Sequence, residues 1–217
     1  MSLKVRWCVL LTSLQLEDPG VTVAQKEEAK RKASAFYQLA EGFCQPTTGR
    51  LTCMRGLSGT GKSTIAQEVA MHHDAVILRA DAIRKHLFNV PLNEHRDDIY
   101  TNEHTTKTFH HIASIAGSLL ASGYHVIIDA TLLKQWQQAL FYSLSEKHGV
   151  HFHILDCIAP DEIIRKRLQK RKNSVSDANE RVYELQLKNR EPIQPSLEQY
   201  TLVIDTTQPI DASQLKL

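Results

Sequence analysis

The sequence predicts an α/β fold: three layers, α/β/α, built on a five-stranded parallel sheet. Three observations carry that expectation. Short apolar runs alternate with longer segments of helical periodicity from about residue 50 to residue 207. A glycine-rich run, Gly56-Leu57-Ser58-Gly59-Thr60-Gly61-Lys62-Ser63-Thr64, stands between the first apolar run and the first helix of that series. The third apolar run, Val126-Ile127-Ile128-Asp129, closes in a carboxylate.

The elements follow in order. Asp18-Pro19-Gly20 is a turn signal. Val21 to Phe43 then reads as a helix, with Ala24, Ala29, Ala33, Phe36, Tyr37 and Ala40 set among charged residues, and Gln45-Pro46-Thr47-Thr48-Gly49 breaks it. Residues 1–49 therefore read as an N-terminal appendage with one helix, and residues 50–217 as the main domain. Leu51 to Arg55 is the first strand, and Ile65, Ala66, Val69 and Ala70 give the helix after the glycines its apolar spacing. Ala75 to Leu78 is the second strand, Asp81 to Phe88 a short helix, and a polar loop runs on through Asp98. Thr101 is placed to cap a long helix that ends at Ser122 and Gly123. His125 to Ile128 is the third strand, Leu133 to Lys147 a helix stopped by Gly149, and His151 to Leu155 the fourth strand. Ala159-Pro160-Asp161-Glu162 opens another helix, with proline and acids suited to a first turn. A further basic helix spans about Asp177 to Arg190, and Tyr200 to Ile204 is the fifth strand. Strands separated by helices pair in parallel, and ligands sit at their carboxyl ends.

At 217 residues and 42% apolar content the chain can bury one α/β core. Its net charge of +2 argues against a dedicated nucleic-acid or membrane binder. No run reaches transmembrane length. Trp7 to Leu14 follows Lys4 and Arg6 like a weak signal peptide, but it is short and lacks a small-residue cleavage site, so a cytoplasmic protein is expected. Cys8, Cys44, Cys53 and Cys157 show no C-x-x-C spacing; all four are expected to be reduced, with Cys53 and Cys157 buried in strands as small apolar groups. The eleven histidines include His72-His73, His110-His111, His151 and His153, yet no cysteine or carboxylate stands near them at finger-like spacing, and no zinc site is expected.

The run from Gly56 to Thr64 fits G-x-x-x-x-G-K-[ST] at every fixed position. Its glycines let the backbone curl so that N–H groups converge on phosphate oxygens, and the following helix aims its positive end at the same anion. Gly56, Ser58, Gly59, Thr60, Gly61, Lys62, Ser63 and Thr64 are the expected nucleotide-binding residues. Lys62 brings a mobile positive charge to the outer phosphates, and the Ser63 hydroxyl is an expected Mg²⁺ ligand.

Other candidates lie at the ends of the later strands. Asp81 begins a helix and Arg84 lies one turn on, so both can face one cleft. A carboxylate there can accept a proton from an attacking hydroxyl, and an arginine can hold an anion. A plain helix cap and a solvated arginine are the bland alternative. Asp129 closes the third strand, where a carboxylate can bind Mg²⁺ through water, and Thr131 points into the same region as a substrate contact. Arg165-Lys166-Arg167-Leu168-Gln169-Lys170-Arg171-Lys172 is a basic helix in which Arg167 and Arg171 share a face. It reads as a lid over about residues 165–180, with Asn173 to Asp177 as its tip and both arginines set over the migrating charge.

These residues resemble P-loop kinases of the polynucleotide-kinase and zeta-toxin type, a group often labelled an AAA domain. The likeness rests on the run at 56–64, Asp81 with Arg84, Val126 to Thr131, and Arg167 with Arg171, and covers about residues 50–207. It implies a P-loop NTPase fold of nucleoside-kinase type and ATP with Mg²⁺ as cofactors. Asp81 would be the base, Arg84 the substrate clamp, and Arg167 and Arg171 the lid arginines. Many relatives have serine before the aspartate, where this chain has Ala80. The upstream helix, Cys157-Ile158-Ala159-Pro160, Ser176-Asp177-Ala178 and Arg190-Glu191-Pro192 also resemble the C-terminal, kinase-like half of bacterial fusion proteins whose front half is similar to aminoglycoside phosphotransferases. That likeness would make residues 1–49 a joint.

The expected function is transfer of the γ-phosphoryl group of ATP to a hydroxyl of a small-molecule acceptor. Two alternatives stay open. One is an ATP-hydrolysing switch without an acceptor. The other is a polynucleotide 5′-kinase, for which Arg79, Arg84 and Lys85 would form a local basic patch against the near-neutral overall charge.

Overall fold

The computed structural model describes residues 20–44, 48–94, 96–170 and 180–215. The expected signal-like stretch Trp7 to Leu14, the tip Asn173 to Asp177, and Arg171 lie outside the described residues. The chain divides into two units, Met1–Thr47 and Thr48–Leu217. In the first, helix α1 spans Val23–Cys44. Thr22 and Gln25 cap it reciprocally: Gln25 Oε1 accepts from Thr22 N at 3.0 Å, and Thr22 Oγ1 accepts from Gln25 N at 3.4 Å.

The second unit is the predicted α/β domain. Its strands are β1 (Arg50–Arg55), β2 (Ala75–Arg79), β3 (His125–Asp129), β4 (His151–Ile158) and β5 (Thr201–Asp205). They form one sheet in the order β2-β3-β1-β4-β5, with every pairing parallel. The helices are α2 (Lys62–His73), α3 (Ala80–Leu87), α4 (Asn102–Ala121), α5 (Gln135–His148), α6 (Asp161–Lys170) and α7 (Glu180–Asn189). The punctuation works as its chemistry dictates. Thr101 Oγ1 accepts from His104 N at the start of α4, and Gly149 ends α5 in the left-handed conformation.

Side chains alternate across the sheet and define the layers. Leu51, Cys53, Val126 and Ile128 face one side, where Phe109, Ile112, Ala116 and Leu120 of α4 and Phe141 of α5 cover them. Met54, Ile127, Leu155, Cys157 and Ile204 face the other side, against Ile65, Ala66 and Val69 of α2. A third cluster, Leu57, Leu133, Ile164, Leu168 and Tyr183, joins α6 and α7 to the loops after β1 and β3. Cys53 and Cys157 are buried free thiols, and burial pushes Cys157 up to about 12.

Strand order places β1 at the switch point. The chain moves from β1 outward to β2, returns through β3 beside it, and then crosses to β4 on the other flank. Crevices form at the carboxyl end of such a sheet, where the connections diverge. Among the described residues no helix is long and apolar enough to cross a membrane.

The opposite, amino-terminal end of the sheet carries His73, His125 and His153 near Arg50. Burial holds all three below the ordinary histidine value of 6.5, and neighbouring cationic groups add to the effect. The folded state thus binds fewer protons here than the unfolded chain, so this contribution to stability is complete above pH 6.5 and is lost as pH falls below it. Urea unfolding across that range is expected to show stability falling toward acid pH, and His73→Gln with His125→Gln is expected to flatten the slope. An unchanged slope in the double variant would contradict this assignment.

Candidate functional site

β1 ends in a loop whose geometry only glycine permits at its first position. Gly56 has φ of +133°, and a Cβ built there would stand 2.3 Å from the Cys157 carbonyl oxygen of β4. Its own N–H donates to Thr131 O at 3.1 Å, fastening the loop to the segment after β3. Thr60 Oγ1 donates to Leu57 O at 2.8 Å across the loop. Gly61, with φ of +93°, then turns the chain into α2 without a side chain of its own to cap the helix start. Lys62 is 8% exposed and arcs back, its Nζ donating to Leu57 O at 2.8 Å.

The cavity beside this loop is lined by Ser58, Gly59, Gly61, Lys62 and Ser63 from the glycine-rich run, by Arg79, Asp81 and Arg84 at the end of β2 and in α3, by Asp129, Ala130 and Thr131 after β3, and by Phe109 of α4. Three strand ends therefore deliver many of the predicted residues to one place; Gly56, Thr60, Thr64 and Arg167 are not among those that line it. Asp129 is 9% exposed, and Arg79 Nε stands 3.6 Å from its carboxylate. Asp81 lies in the first turn of α3, one residue beyond its start, with Arg79 at the cap position. Ser63 and Asp129 present a hydroxyl and a carboxylate, a donor set suited to a hard cation that keeps most of its water and binds through phosphates. Among the described residues no group of three or more His, Cys, Asp or Glu could hold a metal by itself.

Arg84 is 5% exposed and partly committed. Its Nη1 donates to Ile99 O at 2.9 Å and to Thr105 Oγ1 at 3.2 Å, and the guanidinium lies 4.7 Å from the Tyr100 ring centre. Its Nε is buried with no hydrogen-bond partner. Desolvation draws its pKa down, opposed by the nearby Asp81 charge. Lys85, expected on the surface, is 1% exposed and donates to Leu92 O at 3.1 Å.

Of the expected lid over residues 165–180, the described residues are 165–170 and 180. Residues 165–170 continue α6, and Arg167 is hydrogen-bonded to the glycine-rich loop and to the residue that follows β5. It donates through Nη1 to Thr206 Oγ1 at 2.9 Å and to Thr60 O at 3.3 Å, and through Nη2 to Thr206 O at 2.8 Å. The Thr60 carbonyl also accepts from Thr206 Oγ1, so Thr60, Thr206 and Arg167 form one hydrogen-bonded cluster. Arg165 is likewise spent, on Asp161, Glu180 and Glu184.

Other contributors lie outside the predicted site residues. Arg55 at the end of β1 pairs with Asp156 of β4 at 2.7 Å, both of them buried, and its Nη2 donates to Glu191 O at 2.9 Å. Glu191 N donates to Leu133 O at 2.8 Å, while its carboxylate accepts from Gln135 N at 2.7 Å and from Lys134 Nζ at 3.0 Å. Those bonds hold the Glu191 carboxyl below its usual range. One residue thereby braces the connection from Thr131 to α5. Leu132 in that connection has φ of +48°, a strained backbone for a branched side chain. Gln186 Oε1 accepts from Ser58 N at 2.8 Å.

Gly56→Ala is expected to destabilise the domain by roughly 2 kcal/mol or more in urea unfolding, because both the backbone angle and the Cys157 carbonyl oppose a Cβ. Gly149→Ala also has positive φ but nothing within 4 Å, and is expected to cost only about 1 kcal/mol. Equal effects would contradict the close-approach argument.

Comparison with known proteins agrees with this geometry. An uncharacterized protein of Mycobacterium tuberculosis is 28% identical over 160 residues, which is 70% of this chain; the chain spans only about a third (32%) of that curated relative's length. A relative from Mycobacterium bovis matches to the same extent. Among solved structures, a sugar kinase from Janibacter is similar with a TM-score of 0.56 and 25% identity, over 77% of this chain and 90% of that one. A candidate kinase from Chloroflexus aurantiacus shares the fold at a TM-score of 0.61 and 21% identity, over 78% and 92% of the two chains. The family model described as AAA domain matches residues 51–193, so the chain belongs to that family, and its parallel sheet and phosphate loop give it the fold of P-loop kinases.

Proposed function

We propose that this chain is a Mg²⁺-dependent kinase that moves the γ-phosphoryl group of ATP to a hydroxyl of a small-molecule acceptor. The observation that carries the reading is the convergence on one cavity of Lys62 and Ser63 from the phosphate loop, Asp129 from β3, and Asp81 with Arg84 from α3. A nucleotide site alone needs the first three; a carboxylate and an arginine facing them supply what an acceptor needs. The similarity to a sugar kinase supports the same class.

In the proposed reaction the acceptor oxygen forms a bond to the γ-phosphorus as the bond to the β–γ bridging oxygen breaks, and ADP leaves with that electron pair. Asp81 orients the acceptor hydroxyl and takes its proton. Lys62, released from Leu57 O, stabilises charge on the outer phosphates. Mg²⁺, held by Ser63 and through water by Asp129, would neutralise the phosphate oxygens. Arg84, with its unpartnered Nε, favours an acceptor that carries an anionic group.

A polynucleotide acceptor fits less well. Of the three residues that would make a basic patch, Lys85 and Arg84 are buried, and only Arg79 is left to solvent. Residues 1–49 as a joint to an upstream aminoglycoside-phosphotransferase-like domain is also a proposal, supported by the short share of its relatives that this chain spans.

The test is to incubate the protein with γ-labelled ATP, Mg²⁺ and a metabolite library and follow label into a product. Asp81→Asn is expected to lower transfer by about a hundredfold or more while ATP affinity stays within a few-fold. Lys62→Ala is expected to impair both. Full turnover in Asp81→Asn, or ADP release with no labelled product under any acceptor, would contradict the proposal.

A further inference from the structure

Ser58 sits third in the phosphate loop, ahead of the amides that turn into α2. It is 7% exposed and lines the cavity shared with Lys62 and Asp81. Its N–H is engaged by a residue 128 positions away, Gln186 of α7, whose Oε1 accepts it at 2.8 Å. A carboxamide has two faces: one oxygen that accepts and one nitrogen with two N–H donors. Anchoring the oxygen fixes the nitrogen beside it, next to a loop residue that lines the cavity. Among the described residues that nitrogen has no hydrogen-bond partner.

Gln186 does not depend on Ser58 for its position. Tyr183, nearly one turn earlier in α7, is 2% exposed and packs against Leu57, Leu133, Ile164 and Leu168. Its hydroxyl donates to Asp161 Oδ1 at 2.6 Å. Just beyond the end of α7, Glu191 clasps Leu133 and Gln135. The helix is therefore fixed on both sides of Gln186. A brace for the loop needs only an acceptor; a carboxamide brings two donors as well, beside a loop whose sequence calls for an anion.

We propose that Gln186 is a phosphoryl-contacting residue of this site: held through its oxygen by the Ser58 amide, it donates an N–H to the terminal phosphate as that group transfers. The proposal rests on the kinase reading above and adds a neutral donor to the cationic set. A neutral donor suits this position because preorganised dipoles stabilise developing charge without holding the product ADP more tightly.

The variants Gln186→Glu and Gln186→Met separate this from a bracing role. Glutamate keeps the acceptor for Ser58 N and loses the donors; methionine keeps the length and loses both. The probe is ADP with Mg²⁺, measured by calorimetry with and without aluminium fluoride, which mimics the migrating phosphoryl group. Both variants are expected to bind ADP within about twofold of the parent protein. The gain in affinity on adding aluminium fluoride is expected to fall about tenfold or more in Gln186→Met, and further in Gln186→Glu, where a like charge faces the phosphate. Should Gln186→Met not fold, Gln186→Leu, equally without donors or charge, takes its place. Gln186→Glu behaving as the parent would overturn the proposal, because a brace survives that change and a donor does not. A parent protein that binds ADP but gains nothing from aluminium fluoride would overturn it too. Failure of the parent to bind ADP at all would instead overturn the underlying nucleotide reading.

Discussion

β1 lies between β3 and β4, and its chain must leave the sheet within a single residue to clear the backbone of β4. Gly56 makes that exit, pressed against the Cys157 carbonyl on one side and bonded to Thr131 on the other. Everything at the site follows from this junction. It orients the loop so that α2 begins at the cavity, it sets Lys62 across the loop, and it ties the phosphate side to the segment that carries Asp129 and Thr131. The buried Arg55–Asp156 pair stiffens the same corner, and breaking such a pair leaves an uncompensated buried charge.

The electrostatics of the cavity are divided by depth. Toward the loop, backbone amides and one lysine supply diffuse positive potential. Toward α3, single charges face each other: Asp129 near Arg79, and Arg84 near Asp81 with its guanidinium desolvated. A desolvated arginine keeps its charge, and an anion brought to it is attracted more strongly than it would be in water. The arrangement suits a ligand whose phosphate end is fixed by main-chain geometry and whose acceptor end is chosen by a few side chains.

Much of this was legible in the sequence. The strand order was not, but strand number and parallel pairing follow from alternation, and parallel topology collects strand ends at one edge. That is why Asp81, Asp129 and Thr131, read only as residues closing or following apolar runs, meet the phosphate loop in one cavity. What local patterns do not carry are contacts between distant positions. β4 runs on past Leu155 through Asp156 because Arg55 satisfies that carboxylate, and no local pattern announces the pairing. Arg167 carried the signature of a lid residue, and no local pattern announces its hydrogen bonds to Thr60 and to Thr206, 39 positions away. Gln186 and Glu191 sit on an ordinary polar helix and just beyond its end; only the fold reveals that they reach the loops after β1 and β3.

A crystal structure with Mg²⁺ and a non-hydrolysable ATP analogue tests the central claim most directly. The account predicts the triphosphate wrapped by residues 56–64, Lys62 Nζ moved from Leu57 O to the outer phosphates, and the terminal phosphate facing Asp81 across the cavity. A nucleotide bound elsewhere, or a terminal phosphate turned away from Asp81, would contradict it.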